Sequence, residues 1–343
     1  MGLCMRAKTL WNLVPPVLLI PAAAWILWQE VRPPSRPDAS ARDRIVAVTA
    51  TALPGDGAML GPFRLAGALA LTSSDTGFGG ISGLAAMPDG RLLAVGDAGQ
   101  WLMLRPVVQA GRLAGVADVR MGAFSAATDK AAMDGEAIVL SPGGRALISL
   151  EQQHRILVFD GRGPPRKPAR TMFRTAAAGW PPNGGGEALA LLPDGAMLWI
   201  SEQARRRDGA HVALFTRADG TTVSVGIPGV AGFSPTDATV LDGGRLLLLH
   251  RLYNGVESQA AISVIDLSAI VAGGDTAAAR TLVRWGRRSQ WPVDNMEGMT
   301  VAQEGGKPVL YLVSDDNFNP AQRTLLLRLE LAAPIPSGPA VPH

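Results

Sequence analysis

The chain has 343 residues, 47% of them hydrophobic and 18% charged, so it is long enough and apolar enough to bury a large core. Its formal charge of +3 is small, and its basic segments are not interleaved with aromatic residues, which argues against nucleic-acid binding. The only cysteine, Cys4, precedes the first hydrophobic run, which excludes disulfides and cysteine-ligated metals from the body of the protein.

Residues 1–30 have the pattern of an export signal. Arg6 and Lys8 precede an apolar run without charges over residues 10–28, the order that is typical of a secretory signal peptide or a signal anchor. Ala22–Ala24 suits cleavage, whereas continuation of the run to Trp28 approaches the roughly 20 residues that span a bilayer. A cleaved signal and an uncleaved inner-membrane anchor both stay open. Either one predicts an N-terminal hydrophobic helix and an exported, periplasmic protein.

A proline-rich segment over residues 31–44 predicts an extended linker. After it, 40 glycines and 26 prolines in the chain divide short apolar runs from one another, which favours an all-β fold. One unit recurs, composed of a short apolar strand, a Pro/Asp-Gly or Gly-Gly turn and a second apolar strand. Its five copies begin about 50 to 60 residues apart, the spacing of propeller blades. They cover residues 82–97, 136–151, 187–202, 237–251 and 297–317.

The repeats predict a β-propeller over residues 45–332, followed by a flexible tail over residues 333–343. Six blades is the preferred number, with five or seven as alternatives. Residues 45–53 and 63–72, together with the C-terminal strand 324–331, are expected to complete the sixth blade. Joining both chain ends in one blade closes the ring. A β-sandwich is the structural alternative, but it does not predict a hairpin repeated at this period.

The ends of the repeated hairpins are rich in acids. In an antiparallel hairpin the start of the first strand and the end of the second lie together, and the first strand of a blade lines the central channel. We therefore expect these residues to form a carboxylate ring at one mouth of the channel. The starts are Ser82, Glu136, Glu187, Asp237 and Glu297, and the ends are Asp97, Glu151, Glu202, Arg251 and Asp315/Asp316.

Clustered carboxylates repel one another unless a cation neutralises them, and oxygen ligands prefer Ca²⁺ or Mg²⁺. The sequence therefore predicts a bound cation, Ca²⁺ first, on the acids of the ring. Further oxygen ligands are available beside it on Asp134, Asn183, Asp294, Asn295, Asn317 and Asn319. The alternative interpretation is that the acids cap strand ends and bind loop backbones. The predicted metal ligands are Glu136, Glu187, Asp237, Glu297, Asp97, Glu151, Glu202, Asp315 and Asp316.

Several segments resemble the phytase-like propeller domain that is described as "esterase-like activity of phytase". They are residues 81–84, 134–137, 183–190, 294–298 and 314–319, and the resemblance extends over about residues 75–331. The Asp294–Gly298 and Ser314–Asn319 segments are its most specific motifs. The resemblance implies a periplasmic propeller that binds calcium and has phosphoesterase activity. A lysine and arginine cluster for several phosphates is not evident, which argues against phytate as the substrate.

The predicted function is calcium-dependent hydrolysis of an ester, with a phosphate ester of a small molecule as the leading substrate. Glu187 or Glu297 is expected to act as the base, and Arg251 to stabilise developing charge on phosphate. His250 is the histidine expected near the mouth, as a catalytic or a structural residue. Two alternatives stay open. One is a non-catalytic, calcium-stabilised binding propeller at the inner membrane, and the other is lactonase-type ester hydrolysis.

Overall fold

The structure is a computed structural model, and it describes residues 43–124, 134–161, 163–172, 179–242, 244–254 and 257–335. The predicted N-terminal hydrophobic helix lies outside the described residues, as do nearly all of the linker and most of the C-terminal tail. Within the described ranges, no helix has the length and apolar character that crossing a membrane requires.

Strands joined by turns make up nearly all of the regular structure in the described residues. The strands before the first repeat are β1 (Arg44–Ile45), β2 (Val48–Ala52), β3 (Met59–Leu60) and β4 (Phe63–Ser73). The first repeat and the segment that follows it form β5 (Ile81–Ala86), β6 (Leu92–Gly96), β7 (Gln100–Gln109) and β8 (Arg112–Ala123). The second repeat and the segment that follows it form β9 (Gly135–Leu140), β10 (Ala146–Leu150), β11 (Arg155–Phe159) and β12 (Arg170–Met172).

The remaining three repeats continue in the same way. The third repeat and the segment after it form β13 (Gly186–Leu191), β14 (Met197–Arg205), β15 (His211–Thr216) and β16 (Thr222–Ile227). The fourth repeat and the segment after it form β17 (Ser234–Asp242), β18 (Arg245–Tyr253), β19 (Ser258–Asp266), the short helix α1 (Ser268–Val271) and β20 (Ala278–Gly286). The fifth repeat and the segment after it form β21 (Asn295–Glu304), β22 (Lys307–Asp315) and β23 (Thr324–Leu331).

The strands form five antiparallel sheets, and each sheet is one blade of a β-propeller. Blades 1 to 5 contain repeats 1 to 5, and the first strand of each repeat is innermost. These inner strands, β5, β9, β13, β17 and β21, contact one another in a closed ring. The predicted all-β propeller is confirmed, and so are its hairpins. Their turns use glycine in the left-handed region, as at Gly90 with φ +81° and Gly195 with φ +89°.

The prediction of a sixth blade is wrong. Blade 5 has the strand order β2-β4-β23-β22-β21, with β3 paired to β4, whereas β1 pairs with β8 of blade 1. The reason is that the fifth repeat supplies only three strands. β4 therefore pairs with β23 and takes the fourth place, and β2 adds to it. The predicted closure by both chain ends in one blade is correct, but it completes the fifth blade.

The core lies between the blades. Each of the five largest hydrophobic clusters joins two neighbouring blades. Successive strand residues face opposite sides of a sheet, so a central strand needs apolar residues at every position when both sides are covered. Leu246–Leu249 shows this pattern, since all four leucines are fully buried and they alternate between two clusters. The rigid ring of inner strands positions the site described next.

Candidate functional site at the acidic mouth of the channel

A β-bulge occurs near the start of every inner strand. The bulge places one extra residue opposite the second strand of the blade, and such a distortion re-aims side chains. Because the distortion recurs at the same level in all five blades, the five extra residues form a ring at one mouth of the channel. They are Ser82, Glu136, Glu187, Thr236 and Glu297.

A second ring of residues lies at the end of the second strand of each blade. In the first three blades the backbone N–H of this residue donates to the residue two positions before the bulge. Glu202, for example, donates to Gly185 O at 2.8 Å. The equivalent positions hold four acids and one arginine, as the repeats predict: Asp97, Glu151, Glu202, Arg251 and Asp315.

Asp237 does not occupy the predicted position in the ring. Thr236 is the bulge residue of blade 4, and Asp237 follows it, at a position where other blades have glycine or alanine. Thr236 lies 15 residues before Arg251, the same separation as Ser82 to Asp97, Glu136 to Glu151 and Glu187 to Glu202, so the predicted repeat began one residue too late. The Asp237 carboxylate accepts hydrogen bonds from Met299 N at 2.7 Å and Ala238 N at 2.8 Å. It therefore joins the inner strands of blades 4 and 5.

Asp316 also departs from its predicted role as a ligand. Its Oδ1 accepts hydrogen bonds from Gly80 N and Phe318 N, both at 3.0 Å, and its Oδ2 accepts one from Thr324 Oγ1 at 2.9 Å. These donors occupy both oxygens of the carboxylate. Asp316 therefore fixes the loop after β22 against blade 1, as the alternative interpretation of the acids expects for this residue, while Asp315 stays in the ring.

His250 is not at the mouth. Its side chain is fully buried, and its Nε2 lies 2.7 Å from Ser263 Oγ on the neighbouring strand of blade 4. Burial lowers the pKa of His250 to about 3, so the imidazole is neutral at physiological pH. We therefore correct the expectation that it acts near the mouth.

His154 is the histidine next to the ring, and sequence reasoning missed it. It ends the turn that starts at Glu151, with its backbone in the left-handed region at φ +43°. Its Nε2 is 3.2 Å from Trp180 O, and its ring packs edge-on against the Trp180 indole. A Cβ at Gly185 would lie 2.6 Å from the His154 ring, so only glycine allows this packing. The spacing Glu151-x-x-His154 within a tight turn was the available signal.

Carboxylates converge into two overlapping groups within the ring. One oxygen each of Glu151, Glu187 and Glu202 lies within 4.8 Å of the others, and the same holds for Asp134, Glu136 and Glu151. The Glu151 carboxylate also accepts a hydrogen bond from the backbone N–H of Gly184, which fixes its orientation. Gln152 Nε2 donates to Asp134 Oδ2 at 2.9 Å. The structure thus brings together side chains from blades 2 and 3.

Three acids of the mouth, Glu136, Glu187 and Asp315, hold their protons more tightly than free carboxyls. Burial, followed by repulsion from neighbouring acids, raises the pKa of Glu136 and of Glu187 well above the usual range. Burial and repulsion also raise the pKa of Asp315. Glu187 is only 6% exposed, and its neighbours include the acids Glu136, Glu151 and Glu202. A buried carboxylate among other carboxylates needs a proton or a cation.

Arg251 lies among these acids. Its Nε is 3.1 Å from Glu297 Oε1, an ion pair in which the N–H does not point at the oxygen, and its Nη2 is 3.5 Å from Glu202 Oε1. Asn295 contacts Arg251 and Glu297. Its Oδ1 accepts a hydrogen bond from Arg251 Nη1 at 3.1 Å, and its Nδ2 donates one to Glu297 Oε1 at 2.8 Å. Burial raises the pKa of Glu297 to about 7, although Arg251 acts in the opposite direction.

Comparison with known proteins gives a family for the chain. The sequence profile of the phytase-like family, described as "esterase-like activity of phytase", matches residues 76–318. No curated protein matches the sequence. Among solved structures, the chain is similar to virginiamycin B lyase from Staphylococcus aureus, at 11% identity and a TM-score of 0.37, covering 83% of this chain and 100% of that one. It is also similar to the Cps50 (Swd1) β-propeller domain of Myceliophteria thermophila, at 10% identity and a TM-score of 0.34, covering 84% and 99%.

Proposed function

Because this chain belongs to the phytase-like family described as "esterase-like activity of phytase", we propose that it is a calcium-dependent ester hydrolase that acts at the acidic mouth of its propeller. A single observation carries this proposal. Glu187 is buried at the mouth, and its carboxylate converges with those of Glu151 and Glu202.

The donor set fits a hard cation. All the converging atoms are carboxylate oxygens, which favour Ca²⁺ and Mg²⁺ over softer metals. Ca²⁺ takes ligands at about 2.3–2.6 Å, so its ligand oxygens lie up to about 5 Å apart, and Mg²⁺ needs a tighter set at about 2.0–2.1 Å. The oxygens of each group lie within 4.8 Å of one another, so a single ion of either kind could contact all three carboxylates of a group. Glu151, Glu187 and Glu202 would hold the ion, with Asp134 and Glu136 beside them. A bound Ca²⁺ would offset the negative charge of the mouth and polarise the ester.

Glu297 is the base in this proposal. A general base works best with a pKa close to the working pH, and burial raises the pKa of Glu297 to about 7. Asn295 Nδ2 and Arg251 orient the carboxylate. Glu297 would take a proton from the attacking water as the water oxygen bonds to the ester centre. The ester C–O or P–O bond then breaks, and the leaving group takes that proton from Glu297 and departs as the alcohol.

Arg251 supplies positive charge on the blade 4 side of the mouth. Its side chain is 31% exposed, so its guanidinium is accessible although it pairs with Glu202 and Glu297. In the proposed reaction it would stabilise the charge that develops on a phosphoryl oxygen. Glu187 is better suited to hold the cation than to act as the base, because it lies within the convergent group.

A phosphate ester is the leading substrate, since the family description refers to phytase. A carboxylic ester or lactone is a second candidate, and the charge of the mouth favours it. The acids that interact there in the described part of the chain are Asp97, Asp134, Glu136, Glu151, Glu187, Glu202, Glu297 and Asp315. They outnumber Arg251 and the nearby Arg205. An uncharged ester meets less repulsion there than a phosphate dianion.

A hydrolase screen tests this proposal. Phosphomonoesters, phosphodiesters and lactones are offered with Ca²⁺ and with EDTA, and we expect Ca²⁺-dependent turnover of one class. Glu187→Gln should lose activity together with Ca²⁺ affinity, whereas Glu297→Gln should lose activity and retain most of the affinity. Asp242→Asn is the matched control, because this exposed acid lies in the turn at the opposite end of blade 4. No turnover of any class with Ca²⁺ bound would favour the non-catalytic binding propeller.

We also propose that the protein is exported to the periplasm. The export pattern of residues 1–30 supports a periplasmic protein that is anchored to the inner membrane or released from it. Cell fractionation with an antibody against the propeller tests this, and a purely cytoplasmic signal would contradict it.

A further inference from the structure

We propose that Phe318 is a specificity-determining residue that forms an aromatic wall of the mouth and selects esters with a flat, apolar group. The inference rests on the proposed hydrolase function and names the kind of substrate that the site accepts. Phe318 belongs to the loop between β22 and β23 of blade 5, which reaches across to blade 1.

The Phe318 ring lies beside a member of the carboxylate ring. A Cβ added to Gly80 would be 2.2 Å from Phe318 Cε2 and 2.6 Å from Asp97 Oδ1. Both atoms are thus close to the same point, directly before the inner strand β5 of blade 1. Gly80 has φ +59°, and its missing side chain leaves the space in which the ring edge and the carboxylate approach each other.

The loop adopts an unfavourable backbone to hold the ring there. Asn317 and Phe318 both have φ +49°, the left-handed region that residues with a bulky side chain rarely adopt. Two carboxylates stabilise this conformation. Asp315 Oδ1 accepts from Asn317 N at 2.7 Å, and Asp316 Oδ1 accepts from Phe318 N and Gly80 N at 3.0 Å. Strained backbone that its surroundings over-determine tends to cluster at ligand-binding sites.

Core packing does not account for the position of the ring. Phe318 is partly exposed, and it belongs to none of the hydrophobic clusters in the described part of the chain. An apolar ring held partly exposed beside acids provides a flat surface on which an aromatic group can stack. The proposed Ca²⁺ ligands lie on blades 2 and 3 and Arg251 lies on blade 4, whereas the Phe318 side chain lies beside Asp97 of blade 1.

The test compares ligands that differ in one group. Phenylphosphonate and ethylphosphonate contain no ester bond, so calorimetry in Ca²⁺ measures their binding without hydrolysis. We expect the wild type to prefer the phenyl ligand about tenfold. Phe318→Leu should abolish that preference, and Phe318→Tyr, which retains the ring, should keep it. Melting temperatures of both variants establish that they fold.

Each outcome separates the inference from the proposed function. A phenyl preference that Phe318→Leu removes supports the aromatic wall even if no ester is hydrolysed. An equal phenyl preference in the wild type and in Phe318→Leu overturns the inference while leaving the hydrolase proposal intact. Failure of the wild type to bind either phosphonate, or to prefer the phenyl ligand, also overturns it. The ratio of kcat/KM for phenyl phosphate and ethyl phosphate, measured as released phosphate, should follow the same pattern.

Discussion

Arg251 and Glu297 join blades 4 and 5 at the mouth of the channel through an Nε–Oε1 separation of 3.1 Å. Arg251 occupies a position that is acidic in the other four blades, and Glu297 is a bulge residue. The arginine therefore places one positive charge inside a ring of carboxylates. Its effect on the protonation of Glu297 can be measured directly.

Replacing Arg251 should shift the pH dependence of hydrolysis to higher pH. Arg251 favours the charged form of Glu297, so its loss should raise the pKa of that base above about 7. We expect Arg251→Met to move the acidic limb of the kcat/KM profile upward and Arg251→Lys to move it less. An unchanged limb in Arg251→Met would show that Glu297 is not the titrating base.

Calcium should stabilise the fold more at neutral than at acidic pH. The proposed ligand Glu187 has an ordinary pKa of 4.5, and burial followed by repulsion from neighbouring acids raises its pKa well above that value in the folded protein. Folding with a proton bound to Glu187 is thus favoured fully below about pH 4.5, and this contribution is lost as the pH rises through the raised pKa. Ca²⁺ replaces the protons, so its increment in melting temperature should be larger at about pH 7.5 than at about pH 5. Scanning calorimetry with Ca²⁺ and with EDTA measures this increment at each pH. Equal melting temperatures with Ca²⁺ and with EDTA at both pH values would contradict a cation site.

Glu187→Gln should have opposite effects on stability and on ion binding. Removing one of several repelling charges should raise the free energy of unfolding in EDTA by about 1 kcal/mol, because an uncompensated buried charge is costly. The same change removes a ligand oxygen, so the stabilisation by Ca²⁺ should fall. Urea unfolding with and without Ca²⁺ measures both effects. A variant that is less stable in EDTA would show that Glu187 has a structural partner.

Asp237→Asn should destabilise the fold and leave the Ca²⁺ affinity nearly unchanged. The buried carboxylate accepts hydrogen bonds from Met299 N and Ala238 N, and an amide NH₂ placed against either donor leaves it unsatisfied. We expect a loss of about 1.5–3 kcal/mol in the free energy of unfolding. A large loss of Ca²⁺ affinity instead would return Asp237 to the set of ligands.

His154→Ala should weaken Ca²⁺ binding although His154 is not a proposed ligand. His154 holds the loop of Trp180 and Gly185, and the N–H of Gly184 in that loop orients the Glu151 carboxylate. Releasing the loop should lower the affinity about tenfold, as losses of residues behind metal ligands commonly do. His250→Gln is the matched control, because His250 is buried within blade 4. Equal Ca²⁺ affinities in the wild type and in His154→Ala would contradict this positioning role.

Local patterns in the sequence determined the hairpins and the level at which their acids meet. An apolar strand, a glycine turn and a second apolar strand leave few other structures, and antiparallel pairing brings Glu187 beside Glu202 at one end. Only the tertiary structure decided the number of blades, because β4 takes the place that a missing strand leaves beside β23. Regular spacing also places Thr236, 15 residues before Arg251, at the bulge of blade 4. Only the tertiary structure decided the contacts of Asp237 and Asp316, because their donors Met299 N and Gly80 N come from distant segments, and the spacing of residues along the chain does not reveal which segments meet.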